Sequence, residues 1–288
     1  MINILLVIIG SIAYGFIPIF TKNVISYSYS SLSIVFYRYF IASIALFFII
    51  IFTKKSFKVS KRQLLDLFIF SILGLGLTYF LLSESLFYIS AGLSNMIHFG
   101  YPIVVILIMT TVYKERLDKF KILSSISTII GIILLTTEVK IESYLGVVYS
   151  LLTTITYSIY IISNKQSSFS TLDTIVSLFY MSIIISIVFL LSAIYKNSFQ
   201  LLNNINVLYN FIGISILCTV FSLGLLLYGV KKLGSSLASI LNMFEPTTTV
   251  LVSTLFYDEK LTIKIIFGPI FILLSTIFII LSNRYKVK

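Results

Sequence analysis

The sequence predicts an all-helical integral membrane protein with ten transmembrane helices and with both termini in the cytoplasm. Composition is the first observation: 58% of the 288 residues are hydrophobic and only 11% are charged, whereas a soluble domain carries about 25% charged residues. The second is a series of apolar runs of about 20 residues each, the length that one bilayer crossing requires. The third is a concentration of basic residues in every other connecting segment, which predicts an orientation.

The apolar runs are continuous rather than alternating, which excludes the strands of a transmembrane barrel and favours helices that satisfy their own backbone hydrogen bonds. The first run has no basic segment before it and no small-residue cleavage site after it. We therefore expect a first transmembrane helix rather than a cleaved signal peptide. The ten predicted spans are 2–21, 31–52, 64–86, 91–113, 120–137, 143–163, 171–194, 207–230, 235–257 and 263–282.

The basic residues favour one orientation of these spans. If the N-terminus is cytoplasmic, fifteen of the 21 Lys and Arg residues fall in inside segments and five in outside segments. Cytoplasmic loops are enriched in these residues, so we predict both termini inside, in a multi-pass protein of the inner or plasma membrane. The net charge of +11 does not indicate nucleic-acid binding, because the basic residues lie in short separate loops and not on one face.

The chain repeats itself at half its length. The stretch "YPIVVILIMTTVYKERL" at 101–117 aligns without a gap with "EPTTTVLVSTLFYDEKL" at 245–261, and the first and sixth spans align at almost the same offset. We predict two repeats of five spans, 1–141 and 142–288, that together form one transport domain. Because five is odd, the second repeat would enter the membrane from the opposite side. Such inverted repeats suit alternating access around a site near the midplane.

The whole chain resembles the drug/metabolite transporter superfamily, EamA type. The resemblance rests on ten spans in two halves and on Pro102, Glu115, Glu245, Pro246, Glu259 and the Arg38 of "FYRYFIAS". Spans one and six of that family usually carry Trp, where this sequence has Tyr14 and Tyr157. The resemblance implies a ten-helix permease that exports amino acids, related metabolites or drugs, with import also seen among relatives.

All four prolines lie inside predicted spans, and three of them are expected to break helices where they would free a carbonyl beside a polar or aromatic side chain. A proline cannot donate a hydrogen bond to the carbonyl four residues back, and in lipid that carbonyl must find a protein or water partner. We expect the breaks to border a wet cavity, although prolines that only shape helix packing are the alternative. The prolines and the residues whose carbonyls they free are Pro18 and Tyr14, Pro102 and His98, and Pro246 and Asn242.

Two charged residues lie deep in the predicted spans. Glu245 is near the middle of the ninth span, where a charge costs about 3 kcal/mol and therefore tends to face the bundle interior. It is a candidate proton-coupling group, or else a protonated acid that donates one hydrogen bond to a neighbouring helix. Arg38 is the only basic residue deep in a span. It could bind a substrate carboxylate, pair with Glu245 in one conformation, or snorkel to the outer face.

The remaining candidates are polar and aromatic residues at midspan depth. Asn95, His98 and Pro102 share one helix face by spacing, and the repeat pairs His98 with Asn242. A lone histidine can instead be a satisfied core side chain, and it lacks the companions that a metal site needs. The full set predicted to line the cavity is Tyr14, Arg38, Asn95, His98, Tyr101, Tyr157, Asn242 and Glu245.

The favoured function is a secondary active transporter, predicted to export small organic metabolites such as amino acids or drugs by alternating access, with protons as a candidate coupling ion. No Walker-type phosphate loop is present, so nucleotide hydrolysis is not expected to supply the energy. A membrane-embedded lipid-modifying enzyme and a channel-like permease are the alternatives. We expect no enzyme activity, no cofactor and no metal, and a monomer or homodimer that contacts a small-molecule substrate and the lipid bilayer.

Overall fold

The computed structural model describes residues 2–89, 91–135 and 143–249, together with 267, 270–271, 273–275 and 277–281. Every regular element in these parts of the chain is a helix, and they contain no strand. Glu259, the end of the predicted ninth span, most of the tenth span and the C-terminal segment lie outside the described residues.

The first half of the chain contains eight helical segments. A π-helical segment, Ser71–Gly76, joins α4 to α5 without a break. The segments are α1 (Ile2–Tyr14), α2 (Ile17–Ser26), α3 (Ser31–Phe52), α4 (Lys61–Phe70), α5 (Leu77–Ser85), α6 (Ala91–His98), α7 (Tyr101–Thr111) and α8 (Lys119–Leu135).

The second half continues the pattern. A longer π-helical segment, Gly213–Leu223, joins α11 to α12, and residues 244–249 form a further helical stretch after a two-residue turn. The segments are α9 (Tyr144–Gln166), α10 (Thr174–Tyr195), α11 (Ile205–Ile212), α12 (Gly224–Leu233) and α13 (Ser235–Leu241).

Within the described residues, six helical stretches of 22 to 29 residues are long and apolar enough to cross a membrane, and the first of them combines α1 and α2. They coincide with the predicted first, second, third, sixth, seventh and eighth spans, and their ends differ from the predicted ends by at most five residues. Side chains of the connecting loops start several of them. Ser60 and Gln63 form a capping box ahead of α4, and Asp173 accepts a hydrogen bond from the Ile175 amide at the start of α10.

Helices are interrupted at three places just before a proline. α1 ends at Tyr14 and α2 begins at Ile17, α6 and α7 are separated by residues 99–100, and α13 and the next helical stretch are separated by residues 242–243. Gly15 lies in the first of these breaks, and a Cβ atom there would come within 2.6 Å of the Thr248 Cβ. The first and third breaks therefore pack directly against each other in the middle of the bundle.

The helices pack in pairs that relate the two halves of the chain. α3 packs along α10, α1 packs on α12 and its π-helical segment, and α9 packs on α5 and its π-helical segment. If each helix is replaced by the corresponding helix of the other predicted repeat, the same set of packed pairs results. The two π-helical segments also share the sequence Ser-Ile-Leu at 71–73 and 215–217, which are 144 residues apart.

Contacts between loops divide the connecting segments into two groups. Loops 53–60 and 167–173 are joined by an ion pair between Lys55 and Asp173, and loop 112–118 is bonded to the start of α13. We call this the basic end: loops 53–60, 112–118 and 167–173 and residues 231–236. The cavity end is the opposite one: loops 27–30, 86–89 and 197–204, of which the first and last are joined by hydrogen bonds.

Candidate functional site

A cavity of about 330 Å³ lies in the half of the bundle next to the cavity end, and it is partly open. It is bounded by α2, the start of α3, the end of α5 and α6, so the helix breaks and the ends of spans shape it. Apolar side chains dominate its wall. The polar residues that line it are Thr21, Arg38, Ser83, Ser94 and Asn95.

Arg38 is the only charged residue among the described residues that line this cavity. Its side chain is 3% exposed and points into the bundle instead of snorkelling to the outer face. The Nε atom donates to the hydroxyl of Thr219 at 2.8 Å, and Nη2 donates to the hydroxyl of Tyr14 at 3.3 Å. The guanidinium also lies over the ring of Tyr79, 3.9 Å from the ring centre, a cation–π contact that fixes its position.

A smaller space of about 40 Å³ adjoins the cavity on its inner side. We call it the inner recess; the residues that it shares with the cavity are Ile17, Tyr79, Leu82 and Asn95. Its other lining residues include Tyr14, His98 and Glu245. The recess therefore brings together four of the predicted site residues, which come from α1, α6 and the 244–249 helix.

Glu245 is buried at the edge of the recess, with 9% of its surface exposed. Its Oε2 atom accepts a hydrogen bond from the Asn242 side chain at 2.9 Å. The carbonyl of Asn242, which Pro246 would deprive of its helical partner, accepts a hydrogen bond from the Ser11 hydroxyl at 2.6 Å. The break at 242–243 is thus satisfied by α1 and holds the carboxyl group towards the recess.

His98 lies at the end of α6, directly before the second helix break. Its Nδ1 atom is 3.0 Å from the Thr153 hydroxyl oxygen, and that hydroxyl already donates to the Ser150 carbonyl at 2.6 Å. The Thr153 oxygen can therefore only accept, which places the imidazole hydrogen on Nδ1 of the neutral ring. This contact ties α6 to α9.

Three tyrosines pack between the inner recess and the basic end. We call them the aromatic layer: Tyr101, Tyr157 and Tyr160. The rings of Tyr101 and Tyr157 meet edge to face, with centres 4.6 Å apart, and the Tyr101 hydroxyl donates to the Ser239 carbonyl of α13 at 3.3 Å. The hydroxyls of Tyr157 and Tyr160 have no hydrogen-bond partner among the described residues. The layer packs α7 against α9 and is bonded to α13.

Sequence reasoning missed several contacts that shape the site. Thr219 holds Arg38 from a π-helical segment 181 residues away in the chain, and no local pattern indicates that pairing. Ser11 carried a usable signal, because it is a hydroxyl one turn before Tyr14 in an otherwise apolar helix. Of the predicted helix-breaking residues, Pro102 and Pro246 are buried beside their breaks, and Pro18 is the second residue of α2.

Polar contacts join different spans at the basic end. Glu115 accepts a hydrogen bond from the Ser236 hydroxyl at 2.6 Å and forms an ion pair with Lys121 at 2.8 Å. We call Glu115, Lys121 and Ser236 the basic-end bridge. The position of Glu115 at the end of the fourth span predicts that it stabilises the N-terminus of the next helix. The residue that accepts from the first amides of α8 is Asp118, whereas Glu115 connects the loop after α7 to α13.

A second cavity, of about 350 Å³, lies at the basic end between α4, α7 and α9. Arg62, Asp66 and Gln166 are among its polar lining residues. None of the predicted site residues borders it. Within the described residues no three His, Cys, Asp or Glu side chains come together in a way that could hold a metal ion.

Comparison with known proteins agrees with this architecture. The model of the EamA-like transporter family matches residues 1–137 and again residues 144–281, nearly the whole chain. A solved crystal structure superposes with a TM-score of 0.82 at 12% sequence identity over 98% of each chain, which shows a shared fold. No curated protein sequence matches. The chain belongs to the EamA-like transporter family, a family of multi-pass membrane transporters, and the resemblance seen in its sequence is confirmed.

Proposed function

We propose that this member of the EamA-like transporter family is a secondary transporter that moves a small organic solute across the cell membrane by alternating access. The observation that carries the proposal is the position of the cavity. The cavity and its inner recess are lined by residues of α1, α2 and α6, next to two of the helix breaks, and by residues of the helical stretch 244–249 that follows the third break. Broken helices around a midplane cavity are the usual substrate site of such carriers.

The division into inverted repeats, 1–141 and 142–288, supports this mechanism. The helix pairs that relate the halves, the shared Ser-Ile-Leu of the π-helical segments and the two separate matches to the family model all fit it. If each half can adopt the conformation of the other half, the protein has two conformations of similar energy. One opens the cavity to one side of the membrane and the other opens it to the opposite side.

The present conformation corresponds to the outward-facing one in this proposal. Twelve of the 21 Lys and Arg residues lie in the basic end or in the helix ends next to it, so this end is assigned to the cytoplasm. It is closed by the aromatic layer and by the basic-end bridge, whereas the cavity lies towards the opposite end. Export of a solute would require the basic end to open onto the same site.

Glu245 is the proposed proton-coupling group. Its carboxyl borders a recess that adjoins the partly open cavity, so a proton can reach it from the cavity side. Its hydrogen-bond partner among the described residues is the Asn242 side-chain amide, which can donate to a carboxylate or to the carbonyl oxygen of a carboxylic acid. A second conformation that exposes the recess to the basic end would release the proton on the other side.

Counterflow in proteoliposomes tests the transport function. A pool of labelled amino acids and amphipathic drugs is added outside vesicles that hold each unlabelled compound in turn. We expect saturable, counterflow-stimulated uptake of at least one compound. Flux that does not saturate and is not stimulated by counterflow would instead indicate a channel, and no flux of any organic solute would contradict the proposal.

The variant Glu245→Gln tests the coupling group, with Glu84→Gln as the matched control, since Glu84 lies at the end of α5 and does not line either space. We expect Glu245→Gln to keep counterflow exchange and to lose acceleration by an imposed pH gradient. Glu84→Gln should keep both. Unchanged gradient-driven flux in Glu245→Gln would remove Glu245 from that role.

A further inference from the structure

We propose that the ligand of the cavity carries a carboxylate, which the Arg38 guanidinium binds, joined to a small apolar body that fills the rest of the space. The proposal names the substrate class of the site and so rests on the proposed function of that cavity. It starts from an electrostatic imbalance. A guanidinium stays positively charged at any pH that a protein experiences, and this one is 3% exposed.

No carboxylate neutralises Arg38 in the part of the chain that the structure describes. The ion pairs found there are Lys55 with Asp173 and Lys121 with Glu115, both at the basic end. A buried charge without a counter-ion is strongly unfavourable, and buried charges are normally paired. A carboxylate on the ligand would supply the negative charge that balances the Arg38 guanidinium.

The groups that hold Arg38 are neutral and leave part of it unused. The Thr219 hydroxyl donates to the Ile214 carbonyl at 3.0 Å, so it accepts from Arg38 and fixes the Nε side of the guanidinium. Nη2 has a contact with Tyr14 at 3.3 Å, and Nη1 has no hydrogen bond to any described residue. Rigid positioning with unused N–H donors suits a planar, bidentate anion such as a carboxylate.

The remaining wall of the cavity defines the rest of the ligand. It is chiefly aliphatic, so an inorganic anion alone would leave most of the surface without a partner. The volume of about 330 Å³ is near the lower limit for small-molecule sites. A single ring or a short chain attached to the carboxylate fits that space. The apolar lining residues are Ile17, Ile25, Ile34, Val35, Leu82, Leu86, Ile89 and Ile214.

Among the described residues, Glu245 is a carboxyl group that could neutralise Arg38. It borders the inner recess, whereas Arg38 borders the main cavity, and they share no ion pair. Glu245 is still near enough to feel the charge of Arg38. A ligand carboxylate would therefore compete with Glu245 for Arg38 in any conformation that brings them together. The variant Glu245→Gln removes that competitor and should not weaken carboxylate binding.

Binding to the purified full-length chain in lipid nanodiscs tests the inference. The probes are phenylacetate, its neutral counterpart phenylacetamide and the cationic phenethylamine, each titrated while the thermal unfolding midpoint is followed. We expect phenylacetate to bind more tightly than phenylacetamide by about tenfold or more, because a site built for a polar group discriminates strongly against its absence. Equal affinities, or no stabilisation by phenylacetate at millimolar concentration, would overturn the proposal.

Three variants locate the effect. Arg38→Met should reduce the preference for phenylacetate over phenylacetamide to about one. Arg38→Lys, which keeps the charge but loses the planar pair of donors, should keep part of the preference and guards against misfolding of the first variant. Ile34→Phe, which occupies the apolar wall, should weaken both ligands alike. A preference that survives in Arg38→Met or Arg38→Lys at the full wild-type value would contradict the assignment.

Counterflow of phenylacetate in proteoliposomes separates this inference from the proposed function. Binding of phenylacetate together with no counterflow of any organic solute would keep the carboxylate site and contradict the transport function. Counterflow restricted to neutral or cationic solutes would keep the transport function and contradict the carboxylate site.

Discussion

The two ends of the helix bundle are held together by different contacts. At the basic end, the bond from Ser236 on α13 to Glu115 after α7 joins two spans that lie outside the α3–α10 pair. At the cavity end, the hydrogen bonds of Tyr29 and Ser30 reach only the segment after α10, and α10 already packs along the whole of α3. The cavity end therefore stays open beside a firmly joined helix pair.

This difference indicates which contacts break during transport. A charge-assisted hydrogen bond contributes about 1.5–3 kcal/mol, so the basic-end bridge can hold one conformation and still yield to ligand binding. The α3–α10 pair buries long apolar surfaces on both helices and would be far more costly to separate. We infer that the spans carrying α7 and α13 move relative to each other, while α3 and α10 remain a fixed frame.

The largest effect is expected at Gly15, which lies in the first helix break, between the basic end and the cavity end. A Cβ atom there would lie 2.6 Å from the Thr248 Cβ and 2.9 Å from the Glu245 carbonyl oxygen, so Gly15→Ala should cost about 1–3 kcal/mol of stability through overpacking and abolish counterflow. The measurements are the thermal unfolding midpoint in nanodiscs and the counterflow rate.

Gly224→Ala is the matched control for that substitution, because its nearest neighbour to an added Cβ is 4.0 Å away. It should unfold and transport as the wild type does. If Gly15→Ala had the same unfolding midpoint and counterflow rate as Gly224→Ala, the close packing of the first helix break on the helix that follows the third would be contradicted.

The second effect concerns the basic-end bridge. Glu115→Gln removes an ion pair with Lys121 and weakens the bond from Ser236, so we expect a loss of about 1–3 kcal/mol from the closed basic end. The population should shift away from the present conformation. A cysteine introduced as Ser83→Cys can be labelled to follow this shift in conformation, because Ser83 lines the cavity and the one native cysteine, Cys218, is buried. Labelling of this cysteine by a membrane-impermeant maleimide should slow in Glu115→Gln.

The control for that experiment also lies at the basic end. Asp173→Asn removes the Lys55–Asp173 ion pair, which joins the segments next to α3 and α10 and does not bridge moving spans. Labelling of Ser83→Cys should keep its wild-type rate in this variant. Equal slowing in both variants would mean that net charge at the basic end, and not the bridge, controls the conformation.

The third effect concerns a hydrogen bond at the cavity end. Tyr29→Phe removes the hydrogen bond to the Leu201 carbonyl, which is 3.0 Å long, and should lower stability by about 1 kcal/mol. Because that bond lies within the fixed frame, the rate of counterflow should not change. A transport rate that fell together with stability would show that the α3–α10 pair also rearranges.

Sequence patterns were enough for six of the spans, because each must be long and apolar to cross lipid, and for the approximate positions of the breaks before Pro102 and Pro246. The π-helical segments gave no such signal, since an extra residue in a helical turn changes no local composition. Midspan depth singled out Arg38 and Glu245. Their neutral partners could not be found from sequence, because Thr219 and Ser11 reach the site only through long-range packing.

The smallest effect is a pH dependence at the exposed ion pair of the basic end. Burial by itself would raise the pKa of Asp173, but the hydrogen bonds from Lys55 and from the Ile175 amide, with the Lys55 charge, outweigh it and lower the pKa below its usual value. A carboxyl whose pKa is lowered in the folded state adds stability above its unfolded pKa of about 3.9 and loses it as the pH falls through the lower, folded value.

Both side chains of this pair are partly in solvent, so the contribution should be at most about 1 kcal/mol. We expect the wild type to unfold slightly above Asp173→Asn at neutral pH, and the two curves to converge as the pH falls below about 4. The unfolding midpoint measured against pH checks this. Asn can provide the same cap of α10, so a difference that persists undiminished in acid would show that the charge of Asp173 is not its source.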